Sequence, residues 1–266
     1  MTGFAWLNDT IIEQCEAPEF PDRQAIFETI LVEKGRVQLA GLHKNRLKSS
    51  LRTLGHELSP LTSGQIFDRQ IPRLLELNHH HLCRVRLRVY LPTKVLPLTW
   101  IIESFGIDPL IVAYNSDGLK LGFANRLQRS KGIAGKVKHW DPDFYRDAQQ
   151  LAGARGLDDI LLTDEQGRIA ESSIANVFWV EGGVVYTPPL SSGCVAGVMR
   201  AYLMECANAL GLDIVEEPLD PERLNTAEEL FLTNAIRRIK WVEQFDNLRF
   251  GNEYSGTFYQ KLFGGT

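Results

Sequence analysis

The chain is poor in the features that most readily betray a function. Its four cysteines, Cys15, Cys83, Cys194 and Cys206, are scattered and form no CxxC pair. That excludes a thiolate zinc site and a disulfide framework as organising devices, and leaves buried thiols in a reducing compartment as the ordinary reading. No apolar run approaches the roughly 18 residues that a membrane-spanning helix needs. Positive charge is scarce: 29 Lys and Arg against 33 Asp and Glu give a formal net charge of −4. No basic stripe interleaved with aromatics is present, so neither nucleic acid nor a membrane is an expected partner. The opening residues MTGFAWLNDTIIEQCE lack a basic start and carry Asn8, Asp9 and Glu13, unlike a secretory leader. A cytoplasmic protein is expected. Three histidines are consecutive, His79-His80-His81, but consecutive side chains of a strand or helix do not converge on one ion, so no metal site is expected.

What is present is the balance of a soluble globular protein: 266 residues, 44% hydrophobic and 23% charged. Ile26 to Val37 reads as a hairpin turning at Glu33–Gly35, and Leu42 to Leu54 as an amphipathic helix closed by Gly55. Ile66 to Leu77 reads as a second helix. Cys83 to Tyr90 alternates strictly and puts Arg84, Arg86 and Arg88 on one face of a strand, and Leu98 to Phe105 reads as a further strand. This is a small α+β domain over residues 1–112. Residues 113–132, rich in Asn, Ser and Gly, read as an interdomain connection with one short strand at most. Residues 133–266 read as a larger domain. In it a helix runs from Pro142 to Ala154 with Asp141 as N-cap. Strands follow at Asp159–Thr163, Ile174–Val180, Val184–Thr187, Ile214–Pro218, Glu229–Thr233 and Ile239–Phe245, with a helix at Val198–Leu210 and a helical turn at Pro221–Asn225.

Four residue sets in that larger domain and the helix before it form a chemical pattern. Lys131, Lys136 and Lys138 are amines, and the last is flanked by Val137 and Trp140, with Ile133 nearby. Glu171 follows a turn and precedes small residues, Ser172-Ser173-Ile174-Ala175-Asn176, that would let a flat ring approach its carboxylate. Ala196-Gly197-Val198-Met199-Arg200 opens a helix, whose first N–H groups bind dianions without side chains. Arg46, in His43-Lys44-Asn45-Arg46-Leu47, is a second candidate cation for a phosphate. An amine for an aldehyde, an acid for a pyridine nitrogen, an anion cradle and small residues beside a ring are what pyridoxal 5'-phosphate (PLP) requires of a protein.

The sequence resembles the class IV aminotransferase family of PLP enzymes, which includes branched-chain and D-amino-acid aminotransferases and aminodeoxychorismate lyases. The likeness runs from Phe27-Glu28-Thr29 to Val242 and is strongest from Lys138 onward. It implies a two-domain α+β fold like that of D-amino-acid aminotransferase, with the active site in the cleft between domains, and a homodimer. Lys138 is similar to the lysine that holds the cofactor aldehyde, and Glu171, in Glu171-x-x-x-x-Asn176-x-Phe178, to the acid on the ring nitrogen. Gly197, Val198 and Met199 resemble the phosphate-cradling helix start. Arg46 resembles the arginine that reaches the phosphate, and Asn234 and Ala235 the last phosphate-side loop.

Several positions depart from the family. Gln24-Ala25-Ile26 replaces the usual glycine-bearing lead-in to Phe27-Glu28. Asp141 stands for asparagine, Ala235 for a phosphate-binding threonine, and Leu91-Pro92-Thr93-Lys94 for a glycine-rich loop. Met199, where transaminases usually carry threonine, and Thr233-Asn234-Ala235 are closer to the lyase pattern. The small-molecule substrate implied is 4-amino-4-deoxychorismate, cleaved to 4-aminobenzoate and pyruvate for folate synthesis. The alternative is transamination of a branched-chain or D-amino acid with 2-oxoglutarate.

Overall fold

The computed structural model describes residues 3–128, 137–139, 141–207, 209 and 211–264. The chain divides into two compact units, Met1–Ile111 with Val137–Trp140, and Val112–Lys136 with Asp141–Thr266.

The first unit is a six-stranded antiparallel sheet. Its strands are β1 (Phe4–Leu7), β2 (Thr10–Glu13), β3 (Ala25–Glu33), β4 (Arg36–Val37), β5 (Cys83–Tyr90) and β6 (Thr99–Gly106), in the order β2-β1-β6-β5-β3-β4. Lys34 and Gly35, both at positive φ, make the two-residue turn between β3 and β4. Alternation gives each strand two faces. Ile26, Ile30, Val85, Leu87 and Val89 pack with Leu47 and Leu51 of α1 (Ala40–Thr53) and with Ile66, Ile71 and Leu74 of the following helical run. That run is not one regular helix. Gln65–Gln70 is π-helical between Pro60–Gly64 and Ile71–Leu77. Pro72 supplies no N–H there, and the Gln70 carbonyl accepts from Trp6 Nε1 at 3.0 Å.

The second unit is built on a sheet of β7 (Leu119–Gln128), β8 (Asp159–Thr163), β9 (Ile169–Ser172), β10 (Asn176–Glu181), β11 (Val184–Thr187), β12 (Ile214–Glu216), β13 (Glu229–Asn234), β14 (Arg238–Phe245) and β15 (Leu248–Arg249). The order is β12-β11-β10-β13-β14-β7-β8-β9, with β15 paired to β14. Its helices are α2 (Pro142–Ala154), α3 (Val198–Ala207) and α4 (Glu253–Phe263). Trp179, Leu161, Val177 and Leu230 fill one cluster, and Phe178, Phe231, Leu203 and Phe258 another. Asp141 caps α2, its Oδ1 accepting from Phe144 N at 3.0 Å. Asparagine would cap equally well, so this departure from the family keeps the helix cap.

The structure corrects one reading outright. Leu119–Gln128 is not connecting loop but a ten-residue strand in the middle of the second sheet, parallel to both β14 and β8. Leu119, Leu121 and Phe123 alternate into the core. Gly122, a loop-former by composition, is a close-approach position: a Cβ there would meet Leu157 Cδ1 at 2.8 Å and Arg155 Nη2 at 2.9 Å. All four cysteines are thiols. Among the described residues no helix is long and apolar enough to cross a membrane.

Candidate active site

In the first unit a short segment, Val137 to His139, runs beside the start of β3. Phe27 N donates to Lys138 O at 3.0 Å, and His139 bridges to Ile26. Val137 is buried in the core of that unit, and His139 N donates to Val137 O at 3.0 Å, a tight turn centred on Lys138. Lys138 Nζ donates to Thr29 Oγ1 at 3.2 Å and lies 4.3 Å from the Phe27 ring centroid. The neighbours Ile133, Lys131, Lys136 and Trp140 lie outside the described residues.

Glu28, on the helix-facing side of β3, is 2% exposed. Arg46 of α1 grips its carboxylate through Nε, at 2.8 Å, and Nη2. His43 Nδ1 lies 2.6 Å from Glu28 Oε2. An ionised carboxylate only accepts, so the hydrogen sits on Nδ1. Burial works against charge on Glu28, but Arg46 and His43 outweigh it and lower its pKa from 4.5 to about 2. Burial pushes the His43 pKa down, opposed by Glu28 and helped by the positive charges of Arg46 and Lys138. Arg46 and Lys138, expected from the sequence in different domains, belong to one unit. The Glu28 partnership is the functional relationship that sequence reading missed; the Glu28 and His43-x-x-Arg46 motifs were its only signal.

The second unit gathers the other residues around Val195. Glu171, at the end of β9 and 3% exposed, accepts from Val195 N through Oε2 at 3.0 Å. Asn176, at the start of β10, donates through Nδ2 to Val195 O at 2.9 Å. Gly197 follows, and Val198 and Met199 begin α3, placing N–H groups at a helix start. Asn234, at the end of β13, donates to Ile174 O at 3.2 Å, and its Oδ1 accepts from Ile236 N and Arg237 N at 3.0 and 2.7 Å. Ala235 lies in the turn that this asparagine closes. Thr233 Oγ1, directly across the sheet from Asn176, is buried without a hydrogen-bond partner among the described residues.

Comparison with known proteins bears on the family and the fold. A model of the amino-transferase class IV family matches residues 25–244. The aminodeoxychorismate lyase of Bacillus subtilis is 25% identical over 237 residues, covering 86% of this chain and 80% of its own length. The branched-chain-amino-acid aminotransferase of Escherichia coli K12 is 29% identical over 111 residues, 42% of this chain and 36% of its own. The PLP-bound form of a hypothetical aminotransferase from Mycobacterium tuberculosis superposes with a TM-score of 0.84 at 17% identity, over 99% of this chain and 100% of that one.

Proposed function

We propose a lyase reaction for this chain, which belongs to the class IV amino-transferase family and so uses PLP: the conversion of 4-amino-4-deoxychorismate to 4-aminobenzoate and pyruvate. The residues fit the cofactor. The residue before the helix start at Val198–Met199 must be glycine, since a Cβ on Gly197 would fall 1.8 Å from Asn176 Oδ1. The Thr233 hydroxyl, opposite Asn176 on the neighbouring strand, is buried without a hydrogen-bond partner among the described residues. A buried carboxylate, Glu171, is held on β9. On this reading Lys138 Nζ holds the aldehyde end, Glu171 keeps the ring nitrogen protonated, and the N–H groups of Val198 and Met199 receive the phosphate, with Ala235 contributing backbone and Arg46 positive charge. When bound, PLP draws electron density from the carbon that bears the substrate's amino group, making its proton removable.

The observation that supports elimination is the Lys138–Thr29 contact of 3.2 Å. A transaminase needs one amine to take a proton from one atom and return it to another. A lyase must take the proton from the amino-bearing carbon and also protonate a departing enolpyruvyl group. Lys138 Nζ can take the first proton, and the Thr29 hydroxyl beside it can pass one to the leaving group. The ring carbon–oxygen bond breaks, the ring becomes aromatic, and the released enol becomes pyruvate. The Bacillus relative supports the same reading.

The Escherichia coli relative favours a second reading, transamination of a branched-chain amino acid with 2-oxoglutarate. Purified protein loaded with PLP distinguishes the two: pyruvate released from aminodeoxychorismate without 2-oxoglutarate supports the lyase, and 2-oxoglutarate-dependent loss of amino acid overturns it. Borohydride reduction and peptide mapping test the site; an adduct anywhere but Lys138 overturns the assignment. By resemblance the working form is a cytoplasmic homodimer serving folate synthesis, and sedimentation checks its mass.

A further inference from the structure

We propose that Asn176 is a positioning residue that couples the two ends of the cofactor site in the second unit, so that the acid for the ring nitrogen and the helix start for the phosphate cannot shift independently. This rests on the PLP reading of Glu171 and residues 197–199.

Val195 is the joint. Its N–H is held by Glu171 Oε2 at 3.0 Å. Its carbonyl accepts from Asn176 Nδ2 at 2.9 Å and from Gly197 N at 2.8 Å. The residue three places before the first helical position of α3 is thus gripped from both sides. Glu171 and Asn176 are themselves tied together. Between them Ser172 N and Ser172 Oγ both donate to Ala175 O, at 2.8 and 3.1 Å, and Ala175 N returns a bond to Ser172 Oγ at 3.0 Å. Glu171 to Asn176 therefore forms one stiff jaw that closes on Val195.

Asn176 also fills space. A Cβ on Gly197 would stand 1.8 Å from Asn176 Oδ1 and 3.0 Å from its Cγ, so the amide lies against the last residue before the helix. Both polar atoms of this side chain are turned to residues 195 and 197, and only 5% of the residue is exposed. The sequence groups Asn176 with the cofactor-binding residues; the geometry has it act through Val195 and Gly197 instead. No near neighbour in chemistry substitutes: aspartate cannot donate to the Val195 carbonyl, and alanine leaves that buried carbonyl without the side-chain donor.

The test uses holoenzyme carrying PLP labelled with 15N in its ring. The ring-nitrogen 15N shift reports on Glu171, and the phosphate 31P shift reports on the helix start. Asn176→Ala is expected to move both signals and to weaken PLP binding by equilibrium dialysis roughly tenfold or more. Glu171→Ala is expected to move the 31P signal as well as the 15N signal, because it releases the Val195 N–H. Gly197→Ala alone is expected to weaken PLP binding to a similar extent, yet to add less than about threefold in the Asn176→Ala background, since both changes act on one joint. An Asn176→Ala protein that binds PLP with an unmoved 31P signal, or losses that multiply in the double variant, would overturn the coupling. If Asn176→Ala does not fold, Asn176→Ser and the Glu171→Ala measurement decide in the same way. A wild type that fails to bind PLP overturns the cofactor reading and this proposal with it. A wild type trapped on Lys138 whose variants show independent signals overturns the coupling alone.

Discussion

Thr29 and Arg86 stand directly opposite each other on β3 and β5, and the Thr29 hydroxyl is the group that meets Lys138 Nζ at 3.2 Å. Residues paired in this way share a face of the sheet, so the arginine face of β5 is the Lys138 face. Arg88 on that face is engaged by Glu103, Glu19 and Tyr90. Arg84 and Arg86 lie 5.2 and 5.1 Å from the ring of Phe105, and Arg84 Nε is buried without a hydrogen-bond partner among the described residues. Burial lowers the pKa of Arg86, and the positive charge of Arg84 adds to it. A carboxylate on the substrate would relieve that repulsion. Arg86→Leu is expected to raise KM roughly 10- to 100-fold with little change in kcat. Steady-state kinetics check this, and unchanged KM in both Arg84→Leu and Arg86→Leu removes the carboxylate role.

Thr29→Val is expected to slow pyruvate release by about 10²- to 10⁴-fold, the range of a lost proton donor. Borohydride trapping at Lys138 should survive, and Thr29→Ser should restore most of the rate. A Thr29→Val protein within about threefold of wild type would show that the lysine suffices alone.

Glu28 makes the first unit sensitive to acid. Its folded pKa of about 2 lies below its ordinary 4.5, so its contribution is complete above 4.5 and is lost as pH falls toward 2. Linkage puts the amount on the order of 3 kcal/mol. Glu28→Gln should therefore lose stability at neutral pH, leaving Arg46 buried beside an uncharged amide, and should flatten the acid limb. Urea unfolding across this pH range measures both.

Lys240 predicts the opposite limb. It donates to the Ala113 carbonyl, and burial, reinforced by Arg237 and Arg238, pulls its pKa from 10.5 to about 8. Between those values the unfolded chain binds the extra proton, so stability rises with pH there. Lys240→Met should remove that rise, and thermal melts in the alkaline range would show it.

Some of this was legible in the chain and some could not be. Strict alternation marked Cys83–Tyr90, and the pairing of Asp141 with Pro142 marked the start of α2, because both signals are local. Glu171, Asn176 and Gly197 were legible as a motif, but their common grip on Val195 spans positions far apart in sequence. β7 was hidden because glycine and asparagine read as loop unless their packing is seen. The hairpin of β1 and β2 and helix α4 carry no punctuation strong enough to read: α4 buries only Ser255, Phe258 and Tyr259. The attachment of residues 137–139 to the first unit is made by contacts with residues more than 100 positions away, two of them through the backbone and one from Lys138 to Thr29, which no periodicity records.

The excursion of Val137–His139 into the first unit also governs how this protein can be dissected. A gene fragment ending at residue 111 would encode the first unit without Lys138. One extended to residue 140 would carry the strand Leu119–Gln128 away from its partners in the other. Separate expression of the two halves is therefore closed to simple truncation, and only a circularly permuted or spliced gene would deliver Lys138 to Thr29.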